Sequence, residues 1–363
     1  MTVAPLRAAA IVAMLVSLAA CGGSPPAAEA PAPASAATAS GTANDSTSDP
    51  PERGLVLKSG DSFTWLECGA PSGRTINLID ATGAVARAFT ALDAPAGVGI
   101  YAEMRGALST DGGSLTLTEL VRARGLGGKL ACRSPVFAGD YVGNGNEPFW
   151  AIEIGEDGIV YRSPDEPKGT TYPYVITRTE TGSAIYATTI KRPRLSTLEV
   201  SLEPSACVDS MSGELRAFKA HVVRDGTRLE GCAAAGVPPG GFGTAPLDEL
   251  NRYVGAYLDA ATLWKAPWLE PRLDALLGPK VKTFLENIQV RTPVMKDKNV
   301  FYVTGNKPHQ GGLYNAVFVA DPASDTIVVV LFVNGVREDF KEHGREIALP
   351  AEVVSTLGNL PGP

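Results

Sequence analysis

Between two strongly apolar stretches near the C-terminus the chain reads GNKPHQGG, residues 305–312, and places His309, one of three histidines, among three glycines and a proline. An imidazole can exchange a proton, donate from both ring nitrogens when protonated, or bind a metal. The glycines and proline make the segment a turn. Pro308 fixes φ beside His309 and stiffens the tip. A stiff polar tip of this kind is shaped to enter the cleft of another molecule. A second set of candidates is Glu147, Asp209, Ser210 and Ser212, with His221 in AFKAHVV. Acids and serines near turns ordinarily serve as caps and turn formers, and His221 reads as a surface or edge residue. No nucleophile–base spacing, phosphate loop or metal cluster is visible, so neither an enzyme nor a cofactor is expected.

The cysteines are Cys21, Cys68, Cys132, Cys207 and Cys232. No CxxC occurs and no histidine lies near any cysteine, which makes metal binding the weaker reading. Setting Cys21 aside leaves an even number, suited to an oxidising compartment, with three pairings open. Domain order favours Cys68–Cys132 and Cys207–Cys232.

Cys21 is set aside because of what precedes it. One early cation, Arg7, is followed by an apolar run, residues 8–20, too short to span a membrane and shaped like a secretory signal. Its end, LAAC, resembles a bacterial lipobox, which implies that Cys21 is acylated, palmitate included, and anchors the protein to a membrane. The alternative is a plain signal peptide with an incidental cysteine. Gly22 stands where an aspartate would resemble an inner-membrane retention signal, so an outer-membrane, cell-envelope location facing periplasm or exterior is expected. The net charge of −7 and the lack of a basic stripe beyond KRPR, residues 191–194, exclude nucleic acid as the main partner.

At 363 residues the chain calls for several domains. Residues 22–53, rich in Ala, Pro, Ser and Thr, read as a disordered tether. The expected fold is multidomain, with two small β-barrel-like domains, 54–134 and 135–237, followed by an α+β domain, 245–363. In the first, several strands surround one short helix, GAVARAFTALDA, which suggests an OB-like barrel. In the second, GNEPFW opens a strand whose Phe149 and Trp150 would plug one barrel end. With Glu147, they form a possible ligand surface. GVPPGGFGT is a linker. The third domain begins with helices, Leu250, Tyr253, Val254, Tyr257 and Leu258 sharing one face, and continues as an antiparallel meander with a short terminal helix.

Three resemblances follow. The strand order of 54–134 resembles the OB-like domain of NlpE-type envelope-stress lipoproteins. GNEPFW followed by CVDSMSG and GC resembles a family of bacterial envelope lipoproteins of unknown activity. KPH, Lys307 to His309, between a helix-led half and a meander, with AVFVADPASDTIVVVLF downstream, resembles Ivy, a family of lysozyme inhibitors. That resemblance implies a loop that pushes its histidine between the two carboxylates of a lysozyme cleft, with Lys307 as a second cation at the cleft mouth. The family's two flanking loop cysteines fall at Asn306 and Gly311, so its loop disulfide is absent and a looser loop is expected. The function implied is a lysozyme-inhibiting envelope lipoprotein; the alternative is envelope-stress sensing or small-ligand binding.

Overall fold

A computed structural model describes residues 50–71, 75–95, 97–125, 132–180, 183–257 and 263–360. The leader with Cys21 and nearly all of the tether lie outside the described residues. The protein is mostly β, with a closed five-stranded barrel, a few helices and a separate second sheet.

The barrel consists of β1 (Glu52–Ser59), β2 (Ser62–Glu67), β3 (Ile76–Ile79), β4 (Ile100–Leu108) and β5 (Ser114–Arg124), with α1 (Ala84–Ala91) between β3 and β4. Neighbours run β3-β2-β1-β4-β5, and a parallel ladder from Asn77–Ile79 to Ser114–Thr116 joins β3 to β5 and closes the ring. Alternate residues point inward. Val56, Trp65, Leu78, Ile100, Met104 and Leu117 fill the interior, and α1 adds Val85, Ala88 and Phe89.

Nine further strands, from β6 (Tyr141–Asn146) to β14 (Thr227–Ala235), form an antiparallel sheet around a core that includes Trp150, Tyr172, Tyr186 and Phe218. Within it, β13 (Leu215–Arg224) and β14 meet at Asp225–Gly226, both at positive φ, the geometry of a two-residue type I′ hairpin. The first residues of β13, Leu215 and Arg216, pair with Ala123 and Arg122 of β5. The sequence separates these two units, but this short ladder makes them one continuous sheet.

The second sheet has six strands: the short β15 (Val290–Arg291) and β16 (Met295–Asp297) pair with β17 (Val300–Asn306), which opens a meander with β18 (Asn315–Asp321), β19 (Thr326–Val333) and β20 (Val336–Lys341). The unbroken apolar run of β19 has a physical cause, since it is buried on both faces. Ile327, Val329 and Leu331 face the layer of α2 (Glu270–Leu277) and α3 (Val281–Asn287), whereas Val328, Val330 and Phe332 face α4 (Ala351–Gly358). Ahead of this domain, residues Pro246–Tyr253 form a 3₁₀ helix instead of the expected α-helix. Leu247, Leu250 and half-buried Tyr253 recur every three residues, the 3₁₀ period. Gly255 then turns the chain at φ 79°, packed so tightly on the Cys68 and Cys132 side chains that a Cβ would collide with them. Tyr257 is exposed, and Leu258 lies outside the described residues.

The described parts form one compact unit, and buried guanidinium groups tie its segments together. Arg53 of β1 donates to the carbonyls of Cys132, Ser134, Arg252 and Val254. Arg252 donates to those of Phe137, Val237 and Pro238, pairs with Glu249 at 3.0 Å, and stacks on Phe242 of the glycine-rich linker. From Arg53 a relay runs from the barrel to the nine-stranded sheet: Nε to the Tyr101 hydroxyl, that hydroxyl to Glu103, Arg122 to Glu103 and Glu214, and Arg216 to Glu214. Burial pushes the Glu103 carboxyl up, but Arg122, Arg53 and Tyr101 outweigh it and hold it below the ordinary value.

A group depressed in the folded state stabilises the fold above its unfolded value and loses that contribution as pH falls through the folded one. Glu103 therefore supports the fold at neutral pH and ceases to do so in acid. Glu103→Ala, which removes the buried carboxylate shared by Arg122 and Arg53, is expected to cost about 3–5 kcal/mol in urea unfolding at pH 7, and less at pH 3. An equal cost at both pH values would assign Glu103 a packing role only.

Candidate functional site

The last pair of the β17–β18 ladder is Asn306 with Asn315, and residues 307–314 connect them. Lys307 N donates to Tyr314 O at 3.0 Å, carrying the ladder one step further. Gln310 N then donates to Lys307 O at 3.0 Å and closes a four-residue turn, with Pro308 second and His309 third. His309 has φ 61°. Proline second and positive φ third are the marks of a type II turn, where glycine is the usual third residue. Holding a Cβ-bearing side chain in this left-handed region costs about 1–2 kcal/mol, and such strain gathers at working positions. The imidazole is exposed and makes no hydrogen bond among the described residues. The sequence marks a turn here, but nothing in it reports the left-handed backbone.

Other contacts substitute for a loop disulfide. Asn306 Nδ2 donates to Lys307 O at 2.8 Å and Gly312 N to Asn315 Oδ1 at 2.8 Å. Tyr314 N donates to Gln310 O at 3.0 Å. The Tyr314 hydroxyl bonds Asn334, and Gly335 N donates to Leu313 O at 2.9 Å, so the β19–β20 turn braces the loop from one side. Lys307 is turned back, its Nζ 3.2 Å from Glu286 and 5.4 Å from the Tyr314 ring centre. This pair ties the loop to α3. A Cβ built on Gly311 would lie 3.9 Å from that of Asn306, within the 3.5–4.5 Å that a disulfide spans. Beside the tip, Leu313 and Val336 are exposed apolar residues joined through the Gly335–Leu313 bond.

The second set of candidates converges elsewhere. Glu147, Asp209, Ser210 and His221 line a groove of about 490 Å³ on the nine-stranded sheet. Asp209 is buried and accepts from Asn144 Nδ2 at 2.8 Å, Asn146 Nδ2 at 3.1 Å, Ser212 N at 2.7 Å and the Ser212 hydroxyl at 2.8 Å. Burial pushes its carboxyl up, but these donors outweigh that and bring it to about 2. Asp209 thus stitches the two sequence motifs together. His221 lies between Glu203 and Glu230 at 3.9 and 3.7 Å, and Ser210 accepts from Asn146, so no serine–histidine pair forms. Among the described residues no group of His, Cys, Asp and Glu is placed to hold a metal ion.

Trp150 is buried, its Nε1 donating to Glu230 O at 3.3 Å, and Gly145 and Gly231 lie so close to its ring that neither site admits a Cβ. Phe149, by contrast, is 47 % exposed. It alternates outward on the strand and does not plug the barrel with Trp150. Cys68 is bonded to Cys132 and Cys207 to Cys232, with Cα–Cα distances of 5.6 and 5.5 Å.

Residues 269–363 match the family described as inhibitor of vertebrate lysozyme (Ivy), a span that contains both α2–α3 and the His309 loop. No curated protein and no solved structure matches the chain.

Two outcomes follow. His309→Gly trades about 1–2 kcal/mol of left-handed strain against roughly 1 kcal/mol of added unfolded-chain entropy, so the thermal midpoint should hold or rise. A fall would mean that the ring makes a structural contact. Asp209→Asn should remove a part of the stability that the wild type loses between about pH 4 and pH 2, because a depressed carboxylate stabilises the fold only while ionised. Unchanged acid unfolding in the variant would contradict this.

Proposed function

We propose that the C-terminal domain inhibits a c-type lysozyme by inserting the His309 tip into its catalytic cleft, and that the chain is an envelope lipoprotein presenting this domain on a tether from acylated Cys21. The single observation that carries the reading is the exposed His309 ring, unpaired and left-handed at the end of a braced turn. The family match over the same residues supports it. Lysozyme-type hydrolysis uses two carboxylates flanking the scissile bond. An imidazole entering between them can donate one hydrogen bond to each when protonated, and two nearby carboxylates favour its protonated form. Charge-assisted bonds of this kind are about twice as strong as neutral ones. The bracing matters because a preformed loop has less freedom to lose on binding. Leu313 and Val336 would form an apolar shoulder against the cleft rim. The first barrel, with its helix between the third and fourth strands and its 1-2-3-5-4 closure, we infer to be OB-like and to act with the nine-stranded sheet as a spacer or sensor.

Turbidity loss of bacterial cell walls under a c-type lysozyme measures the effect. Wild type should inhibit stoichiometrically, and His309→Ala should weaken inhibition by tenfold or more, as expected for a residue at the centre of an interface. Equal inhibition by His309→Ala would refute the loop as the inhibitory element. Asn306→Cys with Gly311→Cys, oxidised, should retain inhibition and slow dissociation. Faster dissociation would show that the loop must deform to bind.

A further inference from the structure

Between the two β units lies a cleft of about 480 Å³, outside the loop and outside the Asp209 groove. Leu120 of β5 and Leu215 and Phe218 of β13 form its floor, and Ala206 stands on its wall. Its size is that of a small-molecule site, and a mostly apolar lining with a few convergent polar groups is the usual composition of one. The cations of the lining are three arginines. At the rim, exposed Arg87 donates to the Thr82 carbonyl and has no carboxylate partner among the described residues. At the floor are Arg122 and the buried Arg216. Arg122 gives its Nη atoms to Glu103 and Glu214, but its Nε is shut away from solvent with no hydrogen-bond partner. Glu119, the carboxylate on the wall, is committed to Arg105 at 2.6 Å.

An orphaned buried donor is destabilising, and more so when it belongs to a charged group. A fold that places one beside a preformed apolar cleft leaves a vacancy for an acceptor that brings its own apolar body. We propose that this inter-barrel cleft binds a medium-chain carboxylate, its chain over Leu120, Phe218 and Ala206 and its head group on Arg122 and Arg87. A small rotation of the Arg122 guanidinium would expose Nε to the incoming carboxylate, while Glu103 and Glu214 retain the Nη atoms. A neutral alcohol of the same length fills the same floor but leaves the charge unanswered. The carboxyl head therefore accounts for the selectivity, and the apolar floor for most of the affinity.

Calorimetric titration of the purified protein with decanoate tests this. Decanoate should bind saturably at one site, and decanol at least tenfold more weakly. Ala206→Trp, which fills the wall from an exposed position, should weaken decanoate at least tenfold, and Arg87→Glu should weaken it several-fold. In ¹⁵N spectra of arginine side chains, the Arg122 Nε–H signal should move on addition of decanoate. The absence of saturable binding, equal affinity for decanol, or full binding by Ala206→Trp would each overturn the proposal. Lysozyme inhibition by Ala206→Trp should be unchanged, which keeps this site separate from the loop.

Discussion

The described chain depends on two buried arginines that gather backbone carbonyls from segments far apart in sequence. Arg53 binds carbonyls at residues 132, 134, 252 and 254, and Arg252 binds those at 137, 237 and 238. These segments join the barrel, the nine-stranded sheet and the meander. Connecting segments ordinarily run over the surface because their polar backbone groups need partners. The planar, always charged guanidinium, with five donors, supplies those partners internally. The cost is a buried positive charge on each, which Glu103, 3.9 Å from Arg53, and Glu249, 3.0 Å from Arg252, offset. Such networks stabilise weakly as a whole but fail badly when one partner is removed. The Cys68–Cys132 bridge, packed on Gly255, adds a covalent tie at the same junction.

The meander applies the same logic at its far end. A central strand buried on both faces fixes the sheet between α2–α3 and α4, so the β17–β18 connection has a rigid base. The loop then stands out under local control. Glu286 holds Lys307 back, Asn334 and Gly335 brace the far side, and the turn presents His309 at a backbone angle a glycine would adopt more easily. In the proposed function, that exposed and unpaired side chain is the part of the fold that meets the target.

Much of this was legible in the residues. Alternation gave the strands, and the helices expected at the start and end of the third domain stand at Glu270–Leu277, Val281–Asn287 and Ala351–Gly358. What failed did so for physical reasons. The segment 246–253 has the apolar content of an α-helix, but period three decides its form. Phe149 and Trp150 are adjacent aromatics that a strand must send to opposite faces. Arg53 and Arg252 are the deepest omission, because lone arginines in polar sequence look like surface residues and their partners lie as many as 201 residues away. The chemistry of the site was visible in one imidazole at a turn; its stiffness was not, since every brace is a tertiary contact.

The central claim, that this imidazole enters an acidic cleft, has a direct spectroscopic test. The protein has three histidines, His221, His309 and His343. Imidazole ¹⁵N–¹H spectra recorded while a c-type lysozyme is titrated in follow each one separately. The account predicts that the His309 resonances alone shift to those of a doubly protonated, hydrogen-bonded ring and stop exchanging with solvent, while His221 and His343 stay in place. Unmoved His309 resonances at saturation, with lysozyme bound and another histidine perturbed, would contradict it.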